Sequence, residues 1–233
     1  MQYGKTVTGR FLSRPNRFIA HVEIDGADTV CHVKNTGRCK ELLTPNAKVV
    51  LEVSPNPARK TAFDLIAVYK GEKLINMDSQ SPNKAFGEWA LTSGFFGAHP
   101  TVTAERTYGN SRFDFYIETE DGRRIFVEVK GVTLEHRGLL RFPDDPTARG
   151  AKHVKELAEA VREGYEAMVF FVAQMEDCHL FFPNDNTDPA FAAALRESAK
   201  KGVQVYCVNC KVTEDTMRIF EFIPAILEGE SQP

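Results

Sequence analysis

From Ile125 to Gly131 the chain reads Ile-Phe-Val-Glu-Val-Lys-Gly, an apolar run with two opposite charges inside it. Side chains alternate across a strand, so Ile125, Val127 and Val129 share one face and Phe126, Glu128 and Lys130 the other. Burying such charges costs several kcal/mol unless they are paired or bind a metal. The run therefore demands a sheet that brings a carboxylate and an ammonium group into one prepared space. Arg112 to Ile117 alternates in the same way, and Asp121-Gly122 turns between the two segments. In an antiparallel hairpin, Asp114 then approaches Glu128 on one face.

Two carboxylates at close range repel, and one keeps its proton. A hard cation removes the conflict, and an oxygen-only set suits Mg²⁺ or Mn²⁺. Such an ion polarises a phosphoryl oxygen, helps to generate hydroxide and stabilises the leaving oxygen. Lys130 either orients the attacking water or neutralises charge in the transition state. The competing reading is a surface ion pair worth ~0–1 kcal/mol; the flanking Phe and Val residues favour a buried site. Asp114, Glu128 and Lys130 are accordingly the catalytic candidates.

A second block leads from Leu140 into a helix expected over Thr147–Glu163, with Thr147 as its cap. Arg149, Lys152 and His153 at that helix start would attract a phosphate. Beyond it the pattern predicts a strand over Ala167–Gln174, a helix over Pro189–Lys201 and a strand over Val203–Val208. This alternation predicts an α/β module with a partly parallel sheet.

The first 80 residues read differently. Short strands are expected over Val7–Leu12, Phe18–Ile24, Thr29–Val33, Lys48–Val53, Phe63–Tyr69 and Lys73–Asn76, with a hairpin turn over Asp25-Gly26-Ala27-Asp28. So many short strands predict a small OB-like barrel, a shape that often binds oligonucleotides. Ser79 to Asn83 reads as a boundary between residues 1–80 and 81–233, followed by a helix over Asn83–Thr92.

Charge follows the same division. The net charge is −3, yet residues 1–60 hold ten Lys or Arg against five Asp or Glu. A basic module that grips phosphates beside an acidic module that holds metal ions fits this asymmetry, as do two ordinary solvated surfaces. Arg10, Arg14, Arg17, Lys34, Arg38 and Lys40 fall on barrel hairpins and loops, where each contact adds salt-dependent affinity. Phe11 and Phe18 alternate with them, either as stacking platforms or as core. Five cysteines argue against a disulfide framework, and Cys207-Val208-Asn209-Cys210 is half a zinc pattern with no second half. No apolar run nears the ~20 residues of a membrane helix, and from Met1-Gln2-Tyr3-Gly4-Lys5 no secretory signal is expected. A cytoplasmic protein is expected, without a membrane partner and of undefined oligomeric state.

Several motifs in order resemble the sugar fermentation stimulation protein A (SfsA) family. They are Ser111-Arg112-Phe113-Asp114-Phe115, Val127-Glu128-Val129-Lys130-Gly131-Val132-Thr133-Leu134, Phe142-Pro143-Asp144 and Thr147-Ala148-Arg149-Gly150-Ala151-Lys152-His153. Arg14-Pro15-Asn16-Arg17-Phe18-Ile19-Ala20, Asn35-Thr36-Gly37 and Asn56 with Arg59-Lys60 extend the likeness over nearly the whole chain. Arg38-Cys39 after that loop departs from the small or apolar residues expected in some relatives. The resemblance implies an OB-like domain followed by a PD-(D/E)xK nuclease-like domain, with DNA bound irrespective of sequence. It also implies a regulatory link to sugar use, notably maltose. Asp114 takes the place of the first acid, Glu128 and Lys130 that of the Glu-x-Lys, and Glu88 that of an additional acid. Arg14, Arg17, Lys34, Asn35, Thr36, Arg38, Arg149, Lys152 and His153 are the nucleic-acid candidates. Three alternatives stay open: a non-catalytic DNA-binding regulator on a nuclease fold, an RNA-directed nuclease, and a sugar-responsive binding protein without nucleic acid.

Overall fold

A computed structural model of the chain describes residues 1–35 and 37–228; Thr36, expected to contact nucleic acid, lies outside the described residues. The N-terminal strands are β1 (Thr6–Ser13), β2 (Ile19–Ile24), β3 (Ala27–Val33), β4 (Lys48–Val53), β5 (Phe63–Lys70) and β6 (Lys73–Asn76). They run in the order β3-β2-β1-β4-β5-β6, and a parallel pairing of β3 with β5 through His32↔Asp64 and Val33↔Leu65 closes the first five into a barrel. The hairpin turn uses Asp25 (φ 50°) and Gly26 (φ 80°), the two left-handed residues that a tight two-residue hairpin needs. Ala27 and Asp28 already belong to β3.

Helix α1 (Ser81–Thr92) follows, then β7 (Thr101–Tyr108), β8 (Ser111–Glu118), β9 (Arg124–Val132), β10 (Glu135–His136) and β11 (Leu139–Phe142). Next come α2 (Ala148–Arg162), β12 (Glu166–Ala173), β13 (Leu180–Pro183), α3 (Pro189–Lys200), β14 (Gln204–Val212) and β15 (Met217–Ile223). The second large sheet has the order β15-β14-β12-β9-β8-β7. Its centre, β9-β12-β14, is parallel, and β8 and β15 are antiparallel to their inner neighbours. A three-stranded sheet, β10-β11-β13, lies beside it.

Two apolar clusters cover the faces of this sheet. Phe86 of α1 packs on Phe115 and Phe170, with ring centroids 5.0 and 4.9 Å away, in a cluster that holds Ile125, Val127 and Val129. Val154 and Leu157 of α2 and Phe191 and Leu195 of α3 cover the other face, with Phe113 and Phe126. That second cluster runs on into barrel residues such as Leu51, Val68 and Met77, so the barrel is joined to the α/β part by apolar packing. Polar contacts reinforce the seam: Asn76 N–H donates to Gln174 O at 2.8 Å, and Gln174 Nε2 donates to Asp78 O at 3.0 Å.

The expected α/β class with an OB-like barrel and a nuclease-like α/β domain is the observed one. The strands β7, β10, β11, β13 and β15 were not anticipated. β7 is a mostly exposed, polar edge strand, and the others are short or lie at a sheet edge, where periodicity fades. Cys207 enters one apolar cluster and Cys210 the other, so the two thiols face opposite sides of β14. All five cysteines are free and buried.

Candidate metal and nucleic-acid site

Strand β9 places Phe126 in the apolar cluster that includes Val154 and Leu157 of α2 and leaves Glu128 and Lys130 on the same side, as alternation demands. Glu128 Oε1 accepts from Lys130 Nζ at 2.6 Å and from His153 Nδ1 on α2, also at 2.6 Å. Its other oxygen, Oε2, is buried with no hydrogen-bond partner. The two side chains that hold Oε1 differ in setting: Lys130 is 18% exposed and His153 is 6%.

Asp114 approaches from β8. The β8–β9 ladder ends at Phe115↔Val127, and beyond it the Asp114 side chain replaces backbone pairing: Oδ2 accepts from Val129 N–H at 2.8 Å. Phe113 and Phe115 enter different apolar clusters, so strict alternation breaks at Asp114. Oδ1 accepts from Asn83 Nδ2 of α1 at 2.8 Å. Gly131 allows α1 to come this close; a Cβ there would stand 2.7 Å from Pro82 Cγ, and closer still to Gln174.

The electrostatics separate the two acids. Burial, and then the neighbouring Glu128 charge, raise the Asp114 carboxyl above its ordinary value, against the Val129 N–H, Lys130 and Asn83. Burial alone would also raise Glu128, but the His153 hydrogen bond and the Lys130 ammonium outweigh it and leave that carboxyl lowered. Glu128 is thus the ionised member, and Asp114 the one that more readily keeps a proton.

Glu88 projects from α1 with its carboxylate 2.6 Å from the Met1 ammonium and 63% exposed. It lines a cavity of about 720 Å³ with Asn83, Gly87, Glu105 and Asp114. Among the described residues, no three His, Cys, Asp or Glu side chains are gathered closely enough to form a metal-ligand cluster, so Glu88 does not join Asp114 and Glu128 in one.

The basic candidates divide in the same manner. The Arg14 guanidinium donates to the carbonyls of Gly37, Arg38, Arg17 and Asn35 at 2.7 to 2.9 Å; it ties the first hairpin to Asn35, Gly37 and Arg38. Lys34 Nζ faces Glu52 at 3.0 Å and Asp78 at 3.4 Å. Asn35 bridges Met77 O and Gly37 N–H. Arg17, Arg38 and Lys40 are exposed around a shallow cavity of about 400 Å³. Arg38 lies 3.7 Å from Asp145, just before α2, so this basic rim reaches the second domain. Phe11 is core at 3% exposure, whereas Phe18 is 55% exposed.

At the α2 start, Thr147 caps the helix by accepting from Gly150 N–H at 3.0 Å. Arg149 and Lys152 are exposed there, and Arg112, missed by sequence reasoning, joins them in lining a cavity of about 510 Å³. His153 turns inward to Glu128 rather than outward. Asn83 was also missed, because nothing in its local sequence shows that α1 will cross the end of β8.

A closed five-stranded barrel, followed by an α/β sheet whose central strand carries Glu-x-Lys beside an Asp, defines the class of OB-plus-nuclease-like proteins. Residues 12–77 match the family model described as the SfsA N-terminal OB domain, and residues 80–216 match the sugar fermentation stimulation protein RE domain. A sugar fermentation stimulation protein homolog of Desulfitobacterium hafniense (strain Y51) is 54% identical over 98% of this chain and 100% of its own length. One of Clostridium beijerinckii is 50% identical over 97% and 100%. The solved structure of Pyrococcus furiosus SfsA in complex with Ca²⁺ is similar with a TM-score of 0.84 at 27% identity, covering 97% of this chain and 98% of that one. The chain belongs to the sugar fermentation stimulation protein (SfsA) family.

No helix among the described residues is long and apolar enough to cross a membrane.

Proposed function

We propose that this protein binds nucleic acid, DNA in the first instance, and hydrolyses phosphodiesters with a divalent cation held by Asp114 and Glu128. The observation that carries the reading is the bare, buried Oε2 of Glu128, whose partner oxygen is already held by Lys130 and His153. A buried carboxylate oxygen without a donor is costly, and a cation is the partner it lacks. Mg²⁺ usually keeps several waters and takes only one or two carboxylates, so a two-acid site suits Mg²⁺ or Mn²⁺. When bound, such an ion supplies Lewis acidity at a phosphoryl oxygen and an acidified water.

The chain's own residues do the rest. Lys130, 18% exposed beside Glu128, neutralises charge there and is the cation that meets the anionic transition state. Arg112, Arg149 and Lys152 form a phosphate cradle next to His153. Arg17, Arg38 and Lys40 extend the grip over the barrel, with Phe18 as the exposed aromatic on which a base stacks. Ca²⁺ in the Pyrococcus furiosus relative supports a hard, oxygen-loving cation in this family.

The test is incubation with labelled single-stranded DNA, duplex DNA and RNA in Mg²⁺ or Mn²⁺. Cleavage that disappears in Glu128→Ala and Lys130→Ala supports the reading. Tight binding without cleavage by the unaltered protein overturns the hydrolytic part and leaves a DNA-binding regulator.

A further inference from the structure

The two oxygens of Glu128 are treated unequally. Oε1 receives two donors, Lys130 Nζ and His153 Nδ1, each at 2.6 Å, and Oε2 receives none. Lys130 alone, on a long flexible stem, leaves the carboxylate free to rotate and to offer either oxygen. The His153 ring does not have that freedom. It is held on α2 with 6% of its side chain exposed, edge-on to the Phe113 ring with centroids 6.1 Å apart. Its far nitrogen, Nε2, accepts from Arg149 Nε at 3.4 Å. One tautomer satisfies both contacts, with hydrogen on Nδ1 for the carboxylate and a lone pair on Nε2 for the guanidinium.

We propose that His153 is a positioning residue: it locks Glu128 so that Oε2 is presented to the cation, and Arg149 on the α2 surface braces the ring from behind. This rests on the reading of Asp114 and Glu128 as the cation ligands. Groups that orient a metal-binding carboxylate are commonly worth about 10–100-fold in metal affinity. The same chain, Arg149–His153–Glu128, ties the phosphate cradle at the α2 start to the buried acid, because Arg149 lines that cradle with Arg112 and Lys152.

The experiment measures Mn²⁺ binding to the full chain in the absence of nucleic acid, by calorimetry and by the electron paramagnetic resonance spectrum of the bound ion. His153→Ala is expected to weaken Mn²⁺ about tenfold or more and to broaden the spectrum as the carboxylate loses its fixed orientation. His153→Asn puts an amide N–H where Nδ1 stood, and recovers most of the affinity. Arg149→Ala, a surface change, gives a smaller loss in the same direction and keeps the test open if His153→Ala fails to fold. Wild-type affinity in folded His153→Ala, or no recovery in folded His153→Asn, overturns the positioning role. If Asp114→Asn and Glu128→Gln also leave Mn²⁺ binding unchanged, it is the two-acid reading itself that fails.

Discussion

Asn83 Nδ2 lies 2.8 Å from Asp114 Oδ1, a contact that ties the first turn of α1 to the strand that parts from β9. Burial and the Glu128 charge push the Asp114 carboxyl up, and Asn83 is one of three groups that oppose them. Asn83→Leu removes that opposition, so the carboxyl rises further. A cation needs the charged form, so binding is lost as pH falls through the Asp114 value, and the variant must lose it at a higher pH. Mn²⁺ affinity measured between about pH 4 and pH 7 checks this: the acid limb moves up in Asn83→Leu, while the plateau near neutrality changes less.

The barrel cations separate by what they touch. Arg17, Arg38 and Lys40 are exposed, whereas Arg14 holds four backbone carbonyls. Each of Arg17→Ala, Arg38→Ala and Lys40→Ala is expected to reduce the slope of log affinity against log salt for duplex DNA by about 0.9. Arg14→Ala lowers affinity by loosening the backbone at Asn35, Gly37 and Arg38 and leaves the slope nearly unchanged. Fluorescence anisotropy across a salt series distinguishes the two effects.

Phe18 and Phe11 make an internal control. Phe18→Ala, at 55% exposure, is expected to weaken single-stranded DNA binding by about 1–3 kcal/mol with the melting temperature kept. Phe11→Ala, at 3% exposure, is expected to cost about 3–5 kcal/mol of stability. Thermal unfolding and a binding titration on both variants check the contrast.

Asp64 clamps the barrel closure. Its carboxylate accepts from both terminal nitrogens of Arg59, at 2.8 and 2.7 Å, and meets His32 Nδ1 at 2.9 Å. Burial alone would raise this carboxyl, but the Arg59 and His32 hydrogen bonds outweigh it, and it is lowered from 3.8. A lowered folded value contributes stability that is fully present above the unfolded value and is lost as pH falls through the folded one. Asp64→Asn is therefore expected to cost roughly 1–3 kcal/mol near neutrality. Urea unfolding at several pH values should show the gap between variant and wild type close below pH 3.8.

Much of this was legible because local rules and tertiary structure agree. The alternation at Ile125–Gly131 put Glu128 and Lys130 on one face, and α2 covers that face. The turn after β2 and the Thr147 cap follow from residue chemistry, although the turn expected over Asp25–Asp28 is tighter and leaves Ala27 and Asp28 to β3. His153 was legible as a polar group at a helix start, but its inward turn to Glu128 was not. The two residues are 25 positions apart, and only the packing of α2 on β9 joins them. Arg14 and Lys34 look like phosphate contacts in a basic stretch; the terminal nitrogens of Arg14 are turned to backbone carbonyls, and Lys34 faces acids that come from β4, β5 and the segment after β6. Strand β15 is amphipathic only in part, since its bulge against β14 at Asn209/Cys210 breaks the period.

Crystals grown with Mn²⁺ and measured for anomalous scattering test the central claim most directly. A peak within about 2.0–2.3 Å of both Glu128 Oε2 and an Asp114 carboxylate oxygen, with His153 and Lys130 still on Oε1, is the predicted result. A fully occupied Mn²⁺ elsewhere in the molecule, with Oε2 left bare, would contradict it.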